Sequence, residues 1–246
     1  MVSPAAPNRI DRPGTDEDAW QSWVDLRHLP VIDPVTWGSV VIVAAHPDDE
    51  VLGAGGTMAI LAAAGVRMRL IAVTDGEASH HDANPVLIAR TRAAESAEAL
   101  ERLGASGTEV IRLGFPDTGL TAREEELSAV LREKCAGFGM CLAPWEADAH
   151  ADHEAAGRAA RRAGRLLGTT VLTYPIWMWH WARPADTRVP WHQASQVPLP
   201  AAVASRKQAA IAAFTSQLTD RDPGTGPVLP AGIVAHFGRE QEVLLG

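Results

Sequence analysis

The chain has 246 residues, of which 46% are apolar and 21% are charged, and its formal net charge is −8. This length and composition are typical of one large soluble globular domain, and the acidic balance argues against a nucleic-acid partner. Because no apolar run reaches the length of a membrane span, and because residues 1–18 lack the apolar segment of a signal peptide, we expect a cytoplasmic protein without a transmembrane segment.

Segments typical of strands and helices alternate along most of the chain. Residues 1–37 are predicted to form an irregular N-terminal arm, and residues 38–246 to form one domain. Within that domain the predicted strands are 40–45, 68–74, 109–113, 139–143 and 169–174, and the predicted helices are 51–64, 86–103, 122–135, 153–167 and 201–217. Alternation at this spacing favours parallel β-α-β units. The predicted fold class is therefore α/β: a single, Rossmann-like domain with a largely parallel β-sheet flanked by helices.

Four ionisable residues follow the first predicted strand within five positions, in the sequence His46-Pro47-Asp48-Asp49-Glu50. They do not continue the core, because burying so many polar groups without partners is prohibitively costly. Open α/β sheets bind their ligands outside the carboxyl ends of the strands. A histidine and carboxylates crowded at this place therefore indicate half of a metal site.

A second group of such residues follows the fourth predicted strand, where His150, Asp152 and His153 open a helix. Residues three apart at a helix start share a face, so the two histidines can point at one spot. A hydrolytic zinc site typically keeps three protein ligands of N and O type and an open position for water. The spacing predicts that His46, one of the two aspartates and one of the two later histidines bind the metal, and it leaves the choice within each pair open.

The two motifs together resemble the LmbE-like (PIG-L) family of zinc-dependent N-deacetylases, which hydrolyse the acetamide of N-acetylglucosamine-type substrates. Weaker similarities at residues 92–95, 115–119 and 207–217 extend the resemblance over most of residues 38–220. The resemblance implies that the predicted domain is an LmbE-like deacetylase domain. Its activity would remove an N-acetyl or other N-acyl group from a small amino-sugar-containing molecule, with Zn²⁺ or another divalent metal as cofactor. The implied metal ligands are His46, Asp49 and His153.

The resemblance also implies how the catalytic work is divided. Asp48 would be the general base, which accepts a proton from water and passes it to the leaving amine. His150, protonated through its contact with Asp152, would stabilise the oxyanion that develops in the transition state. Arg92 and Asp117 fall where the family places residues that hold substrate hydroxyls.

The alternation of strands and helices breaks at residues 175–200, which hold four of the eight tryptophans and five prolines. Trp177 and Trp179 are spaced as on a strand, and such rings occur in a core, an interface or a pocket. We hypothesise that both line the substrate pocket, because the segment follows the fifth predicted strand and leaves the sheet at the same edge as the two motifs.

Two other functions remain open from the sequence. The first is a different metal-dependent amidase or esterase on the same scaffold, and the second is a non-catalytic module that binds a metal or a sugar. The presence of both Asp48 and His150 argues against the second, because a binding module needs no base. The expected partner is a small N-acetylated sugar or glycoconjugate. The sequence leaves the oligomeric state open, a homo-oligomer included.

Overall fold

The central strand β1 (Ser39–Ala44) is buried on both faces. The structure, a computed structural model, describes residues 10, 13–80, 83–220 and 225–246, and residues 40–44 of β1 have no exposed surface. Val40 and Ile42 belong to one hydrophobic core, whereas Val41 and Val43 belong to another. Successive side chains of a strand point to opposite faces, so helices must cover both sides of the sheet.

Six further strands complete one mixed sheet. They are β2 (Arg67–Thr74), β3 (Glu109–Phe115), β4 (Met140–Pro144), β5 (Thr170–Tyr174), β6 (Ala194–Pro198) and β7 (Gln241–Leu245). Their order is β3-β2-β1-β4-β5-β7-β6. Strands β1 to β5 pair in parallel, whereas β7 pairs antiparallel with both β5 and β6. The prediction of a single α/β domain with a largely parallel sheet is confirmed.

Helices pack on both faces of this sheet. They are α1 (Glu17–Ser22), α2 (Asp49–Ala63), α3 (Pro85–Leu103), α4 (Glu124–Cys135), α5 (Ala151–Leu167), α6 (Met178–Trp181), α7 (Ala201–Ile211), α8 (Thr215–Leu218) and α9 (Ala231–Ala235). Helices α2, α3 and α7 share one core, and α4 and α5 share the other. Among the described residues, no helix combines the length and the apolar character needed to cross a bilayer.

Residues 1–9, 11 and 12 of the predicted N-terminal arm lie outside the described residues, and helix α1 of that arm packs against the domain. Trp20 of α1 has no exposed surface, and its Nε1 donates to the carbonyl oxygen of Trp179 at 2.8 Å. On the same helix, Glu17 accepts hydrogen bonds from His236 Nδ1 and Arg239 Nε, both at 2.7 Å. These contacts fix α1 to the segment around α6 and to the loop before β7.

The structure contains two strands that the sequence analysis did not predict, β6 and β7. Strand β6 ends at Pro198 within the proline-rich segment. Strand β7 carries Glu242, which is buried and lies 2.7 Å from Lys207 Nζ. A proline and a buried charge interrupt the apolar pattern by which strands are recognised. The predicted helix 201–217 is also divided, since α7 ends at Ile211 and α8 begins at Thr215.

The strand order reverses between β1 and β4, which lie side by side. Strand β1 leads into α2 on one face of the sheet, and β4 leads into α5 on the other. A crevice opens where neighbouring connections leave a parallel sheet in opposite directions. The loop after β1 and the loop after β4 face each other across this crevice.

Candidate active site

The loop after β1 makes a strained turn. The backbone of Asp48 has a φ of 125°, which costs a residue other than glycine on the order of 1–3 kcal/mol. Buried partners hold the turn in place. Glu50 Oε2 accepts the backbone N–H of Asp48 at 3.1 Å, and Arg92 Nη2 donates to Pro47 O at 2.6 Å and to Asp48 Oδ2 at 3.0 Å. Strain that its surroundings maintain in this way is typical of a functional site.

Three side chains from the two loops approach one another to 3.3–3.6 Å, with a different oxygen of Asp49 facing each of the two histidines. Nδ1 of His46 lies 3.3 Å from His153 Nε2 and 3.6 Å from Asp49 Oδ2. Nε2 of His153 lies 3.3 Å from Asp49 Oδ1. Ligands placed tetrahedrally at about 2.0–2.1 Å from a zinc ion are about 3.3–3.4 Å apart. These three residues could therefore hold a metal ion with little movement.

Two other groups of donor atoms are close enough to hold a metal ion. One consists of His46, His150 and His153, in which the His150 ring centroid lies 4.9 Å from that of His46 and 4.5 Å from that of His153. The other consists of His46, Asp117 and Asp152. The second group uses Nε2 of His46, the nitrogen that faces away from His153.

The contacts of this second group are those of carboxylates that support a ligand. Nε2 of His46 lies 3.1 Å from Asp117 Oδ1 and 3.4 Å from Asp152 Oδ2. Asp152 is itself fixed, because it accepts the backbone N–H groups of Thr118 at 2.7 Å and Leu120 at 3.1 Å. A histidine that binds a metal through one nitrogen usually donates its other N–H to a carboxylate, which fixes the ring. The arrangement therefore favours metal binding at Nδ1 of His46.

Asp117 borders the site, but both of its carboxylate oxygens already have protein partners. Besides the contact with His46, Oδ2 accepts the backbone N–H of Ala78 at 3.0 Å. Burial alone would raise the pKa of Asp117, but the hydrogen bond and charge of His46, the backbone N–H of Ala78 and the charge of Arg92 together outweigh burial and hold this pKa at about 2. Contact with substrate hydroxyls, predicted for Asp117, would have to use its remaining lone pairs.

His153 also has a carboxylate partner, which the sequence analysis did not identify. Asp148 is fully buried, and its Oδ2 accepts the Nδ1–H of His153 at 2.8 Å. The same carboxylate accepts the backbone N–H groups of Ile176, Trp177 and Met178, at 3.1, 2.9 and 2.8 Å. Asp148 therefore joins the histidine to the segment after β5. The sequence shows an acidic residue here, but these partners lie 28 to 30 residues further on.

Replacing Asp148 by Asn is expected to weaken metal binding by about 10–100-fold. The amide keeps the shape of the side chain, but an NH₂ group in place of Oδ2 can accept neither the Nδ1 proton of His153 nor the N–H of Trp177. Competition with a coloured chelator measures the metal affinity, and thermal unfolding reports the stability. Asp186→Asn is the matched control, since the Asp186 carboxylate pairs with exposed Arg188. An unchanged affinity in Asp148→Asn would contradict this role.

The two adjacent aspartates of the first motif titrate differently. Burial raises the pKa of Asp48 to about 7, although the positive charge of Arg92 opposes the shift. Burial also acts to raise the pKa of Asp49, but attraction to His153 and His46 outweighs it and lowers this pKa. Asp49 is therefore ionised, whereas Asp48 can exchange a proton near neutral pH. A pKa close to the working pH suits general acid–base catalysis.

His150 caps α5 and is neutral. Its Nδ1 accepts the backbone N–H of Asp152 at 3.3 Å. Burial, together with repulsion from His153 and His46, lowers the pKa of His150 to about 3. The contact through which Asp152 was expected to protonate His150 is absent from the described hydrogen bonds, since the Asp152 carboxylate contacts His46 instead. With Nδ1 as acceptor, the neutral ring carries its proton on Nε2, which can still donate to an oxyanion.

The site lies in a cleft of about 150 Å³. The predicted residues His46, Asp48, Asp49, Arg92, Asp117, His150, His153 and Trp177 all border it. Asp152 lies behind His46 and does not line the cleft. The sequence analysis did not predict that Gln217 and Leu229 would also border the cleft, because they come from distant parts of the chain.

Trp179 does not line the cleft, so this part of the pocket hypothesis is wrong. It is 4% exposed and packs edge-on against Trp20, with ring centroids 5.1 Å apart, and Arg239 lies 3.9 Å from its ring centroid. Trp177, by contrast, is half-buried and faces the site. The hypothesis assumed a strand, in which residues two apart share a face. The chain is helical at α6, so the two rings point in different directions.

Comparison with known sequences gives matches to deacetylases. A sequence model of the family described as PIG-L: GlcNAc-PI de-N-acetylase matches residues 41–164. The chain is 31% identical over 147 residues to a 1D-myo-inositol 2-acetamido-2-deoxy-α-D-glucopyranoside deacetylase of Kineococcus radiotolerans, covering 55% of this chain and 38% of that one. It is also 31% identical over 129 residues to the diacetylchitobiose deacetylase of Thermococcus kodakarensis, covering 48% and 46%. The match therefore spans less than half of the length of either relative.

Comparison with solved structures gives the same architecture over most of the chain. The conserved protein TT1542 from Thermus thermophilus superposes with a TM-score of 0.61 at 28% identity, covering 85% of this chain and 94% of that one. The antimicrobial reagent A40926 pseudoaglycone deacetylase superposes with a TM-score of 0.62 at 18% identity, covering 85% and 96%. At the lower identity the likeness shows the fold alone.

Proposed function

The chain belongs to the GlcNAc-PI de-N-acetylase (PIG-L) family, and on this premise we propose that it is a zinc-dependent N-deacetylase of a small amino-sugar conjugate. The observation that carries the proposal is the convergence of His46, Asp49 and His153, whose nitrogen and carboxylate oxygen atoms lie 3.3–3.6 Å apart, beside a carboxylate outside that set. That carboxylate belongs to Asp48 and pairs with Arg92. A metal site with an adjacent base is one arrangement that hydrolyses an amide.

Each residue of the site has a separate task in the proposed reaction. A bound zinc ion would supply acidification of water and polarisation of the substrate carbonyl. Asp48 accepts a proton from the attacking water and delivers it to the nitrogen of the leaving amine, and its pKa of about 7 suits both transfers. Neutral His150 donates its Nε2–H to the developing oxyanion. Asp148 keeps the ring of His153 in the orientation that the ligand set needs.

The substrate class is inferred from the cleft and from the relatives. The two relatives act, by their names, on a 2-acetamido sugar linked to inositol and on diacetylchitobiose. A cleft of about 150 Å³ is smaller than the pockets of about 300–1,000 Å³ that bury drug-sized ligands, so we place the acetamido end of the substrate in it and the rest of the substrate outside. Trp177 offers an apolar face for the C–H groups of the sugar or for an attached apolar group.

Acetate release by zinc-loaded protein from a panel of N-acetylated amino sugars and glycoconjugates tests the proposed activity. We expect release from at least one member, loss of activity on chelation, and its return when zinc is added. Release only from O-acetyl esters or unrelated amides would favour a different hydrolase on the same scaffold. Sugar binding without any release would favour a non-catalytic binding module.

Trp177→Ala is expected to raise KM for the preferred substrate by about fivefold to tenfold and to change kcat less. The lost contact acts on the ground state and on the transition state alike, so it appears mainly in KM. The same substitution at Trp179 is the matched control. It should instead lower the free energy of unfolding by about 3–5 kcal/mol, since Trp179 belongs to the core. An unchanged KM in folded Trp177→Ala would exclude the proposed contact between Trp177 and the substrate.

A further inference from the structure

A second cavity, of about 300 Å³, lies between helix α3 and the outer strands β2 and β3, and the proposed mechanism gives it no role. Its volume is about twice that of the cleft. Helix α3 packs mainly against α7 and α2, so this edge of the sheet is left partly uncovered. Ala72 of β2 and Val110 of β3 form the floor of the cavity, and Val110 is 47% exposed. Apolar pockets of this size, with a few polar groups, are typical of small-molecule sites.

One face of α3 forms the opposite wall of the cavity. Its residues recur at the spacing of three and four that places side chains on the same face of a helix, and they are Ala93, Ser96, Ala97, Leu100 and Glu101. From Ala93 to Glu101 the wall is about 12 Å long, at about 1.5 Å per residue. The small side chains of the first three leave the space open. The cavity is therefore elongated and suits a linear ligand.

The charged side chains that border the cavity are Asp75, Glu101 and Arg112, and their sum is negative. Arg112 and Asp75 neutralise each other, because Arg112 Nε donates to Asp75 Oδ1 at 2.8 Å. Glu101 lies in the last turn of α3, and among the described residues its carboxylate has no hydrogen-bond or ion-pair partner. The carboxyl end of a helix also favours positive charge. A cation is therefore attracted to this end of the cavity, whereas an anion is repelled by Glu101 and finds Arg112 already paired.

Arg92 separates the cavity from the cleft. Its Nη2 donates to the carbonyl oxygen of Pro47 at 2.6 Å, and its Nη1 donates to that of Gly76 at 3.1 Å. Pro47 borders the cavity, whereas Arg92 borders the cleft. A ligand in the cavity therefore does not occupy the place of the substrate.

We propose that this cavity is a second ligand site, which binds a small linear amine. The ammonium group lies beside Glu101, and the apolar body lies against Ala72, Leu100 and Val110. Burial of the apolar body supplies most of the affinity. The carboxylate of Glu101 is exposed, so it adds a severalfold preference for an amine over an alcohol or a carboxylate of the same length.

Isothermal titration calorimetry with n-hexylamine, 1-hexanol and hexanoate tests the site in the zinc-loaded protein. We expect wild type to bind hexylamine with a Kd of about 1 mM, hexanol severalfold more weakly and hexanoate most weakly. Glu101→Gln should weaken hexylamine binding by about threefold to fivefold and leave hexanol binding unchanged. The matched control is Glu98→Gln, because the Glu98 carboxylate pairs with Arg102 and lies outside the cavity.

Filling the cavity gives an independent test. The double variant Ala93→Leu/Ala97→Leu should lose hexylamine binding by at least about tenfold, since leucine keeps the helix and occupies the space. Ala94→Leu, at an exposed position of α3 that does not border the cavity, is the control and should bind as wild type does. Thermal unfolding shows whether the double variant is folded.

Three results would overturn the proposal. They are hexanoate binding as tight as that of hexylamine, no hexylamine binding to wild type below about 10 mM, and an unchanged hexylamine affinity in the folded double variant. If the double variant does not fold, an unchanged affinity in Glu101→Gln is sufficient to overturn it. Each of these results leaves the proposed deacetylase function standing, because acetate release tests that function separately.

Discussion

Asp48→Asn is expected to reduce turnover by about 10²–10⁴-fold while leaving the metal content of the protein almost unchanged. The Asp48 carboxylate is not one of the proposed metal ligands and pairs with Arg92 instead. Its loss therefore removes the base and leaves the ligands in place. Asparagine has nearly the same shape and is enriched among residues with positive φ, so the strained turn should survive. The measurements are kcat on the N-acetylated substrate and zinc content by atomic absorption.

Asp75→Asn is the matched control for this substitution. Asp75 lies just after β2 at the same edge of the sheet, and its carboxylate pairs with Arg112 at 2.7 Å. We expect turnover and metal content close to wild type in this variant. If Asp48→Asn instead loses zinc as completely as His153→Ala does, the assignment of Asp48 as a base that does not bind the metal is wrong.

His153→Ala is expected to lose both metal and turnover. Zinc content should fall from about one equivalent per chain to near zero, because two remaining donors do not make a hydrolytic site. The substitution also leaves the buried carboxylate of Asp148 without its imidazole partner. Zinc content and acetate release are measured on the same preparation. His28→Ala, at an exposed histidine bonded to the Val24 carbonyl, is the control and should change neither.

His150→Ala decides between the two ligand sets that use His153. If Asp49 is the third ligand, this variant keeps its zinc and loses the donor for the oxyanion, so turnover falls while metal content does not. If zinc is lost as fully as in His153→Ala, the ligands are three histidines and Asp49 has another role.

The first five strands could be predicted because each contains its own signal. Residues 40–44 form an unbroken run of small or β-branched residues, and Gly104 and Gly168 end helices in the left-handed conformation that glycine favours. The two strands missed have no such local signal. Strand β7 contains Glu242, which is tolerated only because Lys207 and the backbone N–H groups of Gly56 and Thr57 surround its carboxylate. That environment depends on residues about 35 and 185 positions away.

The candidate site likewise contains some residues that the sequence could predict and others that it could not. The two motifs could be predicted from the sequence, because each places ionisable residues directly after an apolar run that is typical of a buried strand. The role of Asp148 and the position of Gln217 beside the cleft could not be predicted, since an acidic residue in a loop or a glutamine in a helix is ordinary until its neighbours are known. Both depend on contacts across the fold, Asp148 with the segment after β5 and Gln217 through Ser216 with α3. Trp179 lies outside the cleft, in contrast to the prediction, because the chain forms a helical turn there in place of a strand.

The place of β7 in the sheet sets an order for folding during synthesis. Strand β7 lies between β5 and β6, and Leu245 pairs with Thr173, 72 residues earlier. At about 5–20 residues per second, a ribosome needs about 4–14 s to make the chain from Thr173 to Leu245. During that interval the nascent chain holds both loops of the candidate site, while one edge of β5 has no neighbouring strand and can pair with other chains. Chaperone dependence should therefore be concentrated in this window, and synonymous codons that slow translation after residue 174 should increase aggregation of the newly made protein.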